Sequence, residues 1–209
     1  MTDADRLPMP LGEAMYSMRA IRRLKPDPIP DADLRTIIEA ATQAPSGGNG
    51  QPWHYLLIRD PDQRAKLGAL YHEAWWAKRR DAGIHGPDDI PESDRVTRSA
   101  MRLADEIGAA PVIVLLLATA HGAGAMGSVI PSVQNLLLAA RALGVGGTIT
   151  TLHADVDARV RALCEIPESM QIVYCLPLGY PRGRFGPLNR HPAASVTSLD
   201  RVGAATDWD

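Results

Sequence analysis

Apolar positions along the chain fall into two rhythms. Leu34, Ile37, Ile38 and Ala41 recur at helical spacing, and so do Leu67, Leu70, Tyr71 and Ala74, then Val96, Ala100, Leu103, Ala104 and Ile107. Between and after these stretches come continuous apolar runs at residues 53–58, 112–118 and 170–176. They are short and bounded by turn residues, which predicts core strands, the first of them buried on both faces. A short helix is expected over 11–18, ahead of an extended passage enforced by Pro26, Pro28 and Pro30. Asp31 reads as the N-cap of the next helix and Asp155 as the N-cap of a later one bearing Val156, Val160 and Leu163. The helix around 62–80 ends in Lys78, Arg79 and Arg80, cations suited to the negative end of its dipole. Residues 121–128 read as a flexible glycine-rich passage, and 133–143 as a helix apolar on nearly every side after its first turn. Such a helix belongs at the centre of a domain or in a subunit contact. Gly144 stops it, and 148–152 is β-prone. Past residue 180 no period remains, so the tail must lie on something, be disordered or wrap a partner.

Composition narrows the class. With 209 residues, 45% hydrophobic and 22% charged, the chain reads as one globular domain over residues 1–209. A net charge of −2 argues against bulk nucleic-acid binding. No apolar stretch reads as a membrane span, and the polar start, Met1 to Arg6, lacks a signal-peptide pattern. A cytoplasmic protein is the resulting expectation. Cys164 and Cys175 sit in apolar contexts and read as buried, inert thiols. The six histidines show no ligand spacing, so no metal site is expected.

Candidate chemistry concentrates in two stretches. Residues 19–25 carry Arg19, Arg22, Arg23 and Lys25. The cluster reads either as a solvated face or as an anion site, on which Arg19 and Arg22 would converge if the preceding helix persisted. Residues 44–53 hold Gly47, Gly48 and Gly50 between Pro45 and Pro52. That run is either an ordinary turn or a fixed backbone held close to a planar ligand. Trp75 and Trp76, about 100° apart on a helix, cannot share one core face, which leaves one for an interface or a pocket.

Taken with residues 134–144 and with Gly179-Tyr180-Pro181, the stretches 19–30 and 44–53 resemble, in order, the blocks of the nitroreductase-like flavoprotein family. The resemblance covers nearly the whole chain. It implies an α+β fold, a mixed central β-sheet flanked by helices, and an intimate homodimer with FMN at each of two interface sites. Position by position, Arg19 and Arg22 resemble the holders of the FMN phosphate and ribityl chain, while Ala20 stands where many members have serine. Pro45, Ser46, Gly47 and Asn49 resemble the segment lining the flavin ring and ribityl, with Gln51 close behind. Pro131 and Ser132 match the stretch passing flavin N5, Gly146 and Gly147 match glycines near the cofactor's far edge, and Arg190 matches a basic residue closing on the phosphate. The resemblance implies hydride transfer from NAD(P)H through flavin N5 to a nitroaromatic, quinone or related conjugated acceptor, in ping-pong fashion, with no catalytic acid or base of the protein's own. It also leaves room for a flavin-sequestering protein, a reductive dehalogenase type, a flavin-fragmenting enzyme or a deazaflavin-linked reductase. Substrate choice is expected in the 71–91 region, with Trp75 or Trp76 over the slot.

Overall fold

In the computed structural model the described residues are 3–208, so Met1, Thr2 and Asp209 lie outside them. Four strands form one sheet in the order β1-β2-β4-β3. They are β1 (Trp53–Ile58), β2 (Val112–Ala118), β3 (Gly146–Gly147) and β4 (Gln171–Gly179). Every pairing among them is antiparallel, where the family resemblance had implied a mixed sheet. Between β1 and β2 two helices intervene, α3 (Pro61–Asp81) and α4 (Arg95–Glu106), and the chain re-enters the sheet at the end it left, with Ile113 opposite Ile58.

Alternation along β2 splits the core. Val112, Val114, Leu116 and Ala118 face α2 (Asp31–Thr42) and α5 (Ala123–Ala142). Ile113, Leu115 and Leu117 face α3, α4 and α6 (Ala154–Cys164). Both faces of β2 are fully buried, as a central strand requires. β1 is different: it occupies the sheet edge, His54 is exposed, and only Ile58 is fully buried, so the expected two-sided burial does not hold for it.

Several boundaries depart from the sequence reading for local reasons. Pro30 is the N-cap of α2 and Asp31 already lies in its first turn; a missing proline N–H costs nothing at a helix start. His153 caps α6, its Nδ1 accepting from the Asp155 N–H at 3.2 Å. Val96 on α4 is exposed, because the buried face of that helix begins about two turns later, at Leu103 and Ala104. The short α1 (Leu11–Ser17) stops before Arg19. Residues 123–128 are helical, so α5 starts ten residues earlier than the apolar run and contains Pro131. α5 is also long and apolar enough to cross a membrane by length and composition, yet it packs on β2 and α2 inside the fold.

Candidate functional site

Beyond α1 the chain runs extended and is sewn to the sheet by backbone hydrogen bonds. The Ile21 N–H donates to Gly147 O at 2.8 Å and the Lys25 N–H to Tyr180 O at 2.7 Å. In return the Arg182 N–H donates to Arg23 O at 2.9 Å, and Leu24 bridges Pro181. Ile21 and Leu24 are buried with Ala110, and Phe185 packs on them, so the apolar side chains anchor the segment. Its guanidinium groups are left to line a cavity of about 310 Å³, formed by residues 19–23, Ser99 of α4 and residues 181–184. Five arginines thus meet there: Arg19, Arg22, Arg23, Arg182 and Arg184. Arg182 is engaged, donating to Leu24 O at 2.8 Å and lying 3.7 Å from Glu106. The other four have no carboxylate partner among the described residues. Like charges gathered without compensation repel one another, so the donor set suits a multiply charged anion such as a phosphate. The convergence of Arg19 and Arg22 therefore comes from an extended segment pinned to a sheet edge, not from one face of a helix.

Gly146 determines how closely that segment can lie on β3, and Gly147 how closely β3 lies on β4. A Cβ on Gly146 would sit 2.8 Å from Ile21 Cβ, and one on Gly147 would sit 2.8 Å from Pro177 O and 2.7 Å from Leu178 Cδ2. Both glycines are buried in β3. Ala20 lines the arginine cavity with a methyl group.

Residues 44–53 are built in another way. A single 3-10 turn, Gly47–Asn49, sits at their centre, and Gly48, Asn49 and Gln51 all take positive φ, at 57°, 54° and 46°. Side chains hold this shape: Ser46 Oγ accepts from the Gln51 N–H at 3.1 Å, and Gln51 Nε2 donates to Asn49 Oδ1 at 3.2 Å. Two tethers run outward, from the Gly47 N–H to Ser128 Oγ at 3.2 Å and from the Thr119 N–H to Pro52 O at 3.0 Å. Ser128 is buried in the first turns of α5 and donates in turn to Gly124 O at 3.2 Å. The sequence reading passed over Ser128 because its glycine-rich surroundings resemble a loop. The signal for it is that Gly124 and Ser128 stand four apart and in register with Ser132 and the apolar positions that follow. Pro45, Gly47, Gly48, Asn49 and Gln51 are all exposed, so a small-residue surface faces outward.

The remaining expected residues do not line the arginine cavity. Pro131 is inside α5, and Ser132 is wholly buried there with its hydroxyl donating to Val129 O at 2.8 Å. An amide in mid-helix ordinarily bonds the carbonyl four residues back. Arg190 is exposed, donates to Asn189 O at 2.9 Å, and does not line the arginine cavity. Within the chain, residues 44–53 do not line that cavity either. Of the tryptophan pair, Trp75 is buried beneath Arg79, while Trp76 is half-exposed, crosses Trp75 edge-on at 4.9 Å, and donates to His72 Nε2 at 3.2 Å. Burial pushes the Cys175 thiol and the Tyr71 hydroxyl each up to about 12, so both stay neutral.

Comparison with known proteins follows the same outline. The sequence pattern of the Nitroreductase family matches residues 16–180. An NADH dehydrogenase of Thermus thermophilus is 33% identical over 195 residues, covering 88% of this chain and 92% of its own. Iodotyrosine deiodinase 1 of Rattus norvegicus is 25% identical over 181 residues, covering 81% of this chain, which spans only 61% of that protein. In three dimensions, a crystal structure of oxidized iodotyrosine deiodinase bound to FMN and 3-iodo-L-tyrosine superposes with a TM-score of 0.74 at 23% identity, over 88% of this chain and 96% of the other.

Proposed function

The chain belongs to the Nitroreductase family, and on that premise we propose that it is an FMN-dependent oxidoreductase passing a hydride from NAD(P)H to a nitroaromatic, quinone or related conjugated acceptor. The observation that carries the reading is the arginine cavity, four of whose five guanidinium groups have no carboxylate partner among the described residues. Arg19 and Arg22 hold the phosphate there, with charge-assisted bonds about twice as strong as neutral ones. The exposed backbone of residues 44–53, poor in side-chain bulk, lets a planar ring approach. Ser46, whose acceptor side is occupied by the Gln51 amide, keeps its O–H to donate outward, and Asn49 keeps its amide N–H groups. When bound, FMN supplies hydride acceptance at N5 and onward electron transfer. The protein's task is then to position, to exclude water and to admit donor and acceptor in turn.

Phosphate cavity and ring wall do not share one cavity within a chain, which fits a site completed by a second copy. The apolar groove of about 560 Å³ between α1, α2 and α5, flanked by exposed Leu11, Met15 and Tyr16, is the surface on which a homodimer would form. Trp76, the more exposed of the tryptophan pair, is the candidate to cover the acceptor slot. Likeness to the iodotyrosine deiodinases favours reductive dehalogenation as the second reading. Purified protein is expected to be yellow and to lose its flavin absorbance rapidly on anaerobic addition of NADPH or NADH. Absorbance then returns with a quinone, a nitroaromatic or, under the second reading, a halogenated phenol. Colourless protein that takes up no added FMN would overturn the proposal.

A further inference from the structure

We infer that Ser99, reaching the arginine cavity from α4, supplies the phosphate-facing hydroxyl that Ala20 lacks, and that Arg184 is the guanidinium of the tail that closes on the same anion. The inference rests on the reading of this cavity as the seat of the FMN phosphate.

A phosphate monoester presents three strong acceptor oxygens. The extended segment beneath it offers its guanidinium groups but few free backbone donors, because its Ile21 and Lys25 amides are committed to Gly147 O and Tyr180 O. Residue 20 contributes a methyl group. Ser99 is the one hydroxyl side chain on the cavity wall. It is half-buried in the middle of α4, where a serine commonly bonds back to the carbonyl four residues earlier, yet its Oγ has no hydrogen-bond partner among the described residues. A free hydroxyl set among guanidinium groups is placed to donate to the anion they attract.

Arg184 earns its role by its neighbours. On one side Arg182 is tied to Leu24 O and to Arg23 O. On the other, Phe185 packs on Ile21 and Leu24 and is covered by Arg141, whose Cζ lies 4.2 Å from the ring centroid. Arg141 also donates to Ser17 Oγ at 2.9 Å, so a single side chain braces the tail and the end of α1 on either side of the arginine segment. The backbone between these two anchors is held in place, while the exposed side chain of Arg184 has no carboxylate partner among the described residues. An uncompensated cation on so anchored a stretch of backbone, lining the cavity, is placed to meet an anion held there.

The test is flavin exchange on the purified holoprotein, with bound FMN displaced by graded riboflavin. Its readout is the preference for FMN over riboflavin, which reports the phosphate alone. Ser99→Ala is expected to lower that preference about tenfold, Ser99→Thr to keep it, and Ala20→Ser in the Ser99→Ala background to restore most of it. Arg184→Gln is expected to lower it by at least about tenfold. An unchanged preference in Ser99→Ala and Arg184→Gln, or no recovery by Ala20→Ser, would overturn the inference. Wild-type protein that carries no flavin would instead end the FMN reading itself, a separate outcome.

Discussion

The arginine cavity and the 44–53 loop both present polar donors at the surface, but opposite means hold them in shape. Around the cavity, backbone pairing to β3 and to residues 180–182 fixes the chain, buried Ile21 and Leu24 anchor it, and four of the five arginines have no carboxylate partner among the described residues. In the loop the polar side chains themselves are the scaffold, through Ser46, Asn49, Gln51 and the tether to Ser128, and the backbone is what faces outward. One design presents charge and the other presents shape. A phosphate needs the first and a flat ring the second, so the two ends of one cofactor call for two kinds of construction.

The sharpest way to break the comparison is to disturb the sheet edge under the arginines. Gly147→Ala puts a Cβ against Pro177 O and Leu178, where the backbone cannot yield, and is expected to cost about 2 kcal/mol. Thermal denaturation should show a fall in Tm of about 6 °C, together with loss of FMN from the purified protein. Unchanged Tm would mean that the close approach at β3 is not tight. Disturbing the loop should matter less: Ser128→Ala removes the acceptor for the Gly47 amide, at about 1 kcal/mol. Exchange measurements on that variant should show FMN and riboflavin weakened alike, by about fivefold, with the helical circular dichroism intact. A loss confined to FMN would transfer the loop to the phosphate end.

Much of this architecture is legible in the sequence. The limits of β1 and β2 follow from continuous apolar runs, and the two stretches proposed to hold the cofactor stand out as an arginine cluster and a glycine-proline run. Other parts depend on information that periodicity does not carry. β3 is two glycines, which have no side chains to alternate, and it becomes a strand only because Gly179 and Leu178 pair with it. The first turns of α5 contain Gly124 and Gly127, each costing helix propensity of about 1 kcal/mol, and tertiary packing overrides that cost. β1 looks like a buried strand, yet its edge position is a fact of sheet order. Ser99 and Arg184 are far apart in the chain and meet Arg19 only through the fold, so no local motif marks them.

The central claim, that charge is presented at one end and shape at the other, is tested most directly by measuring FMN and riboflavin binding to the Arg22→Gln and Ser46→Trp variants side by side. Arg22→Gln is expected to weaken FMN by at least about tenfold while riboflavin binds as in the wild type. Ser46→Trp is expected to abolish binding of both flavins with helix content unchanged. Equal losses of FMN and riboflavin in Arg22→Gln, or full flavin retention in Ser46→Trp, would contradict the account.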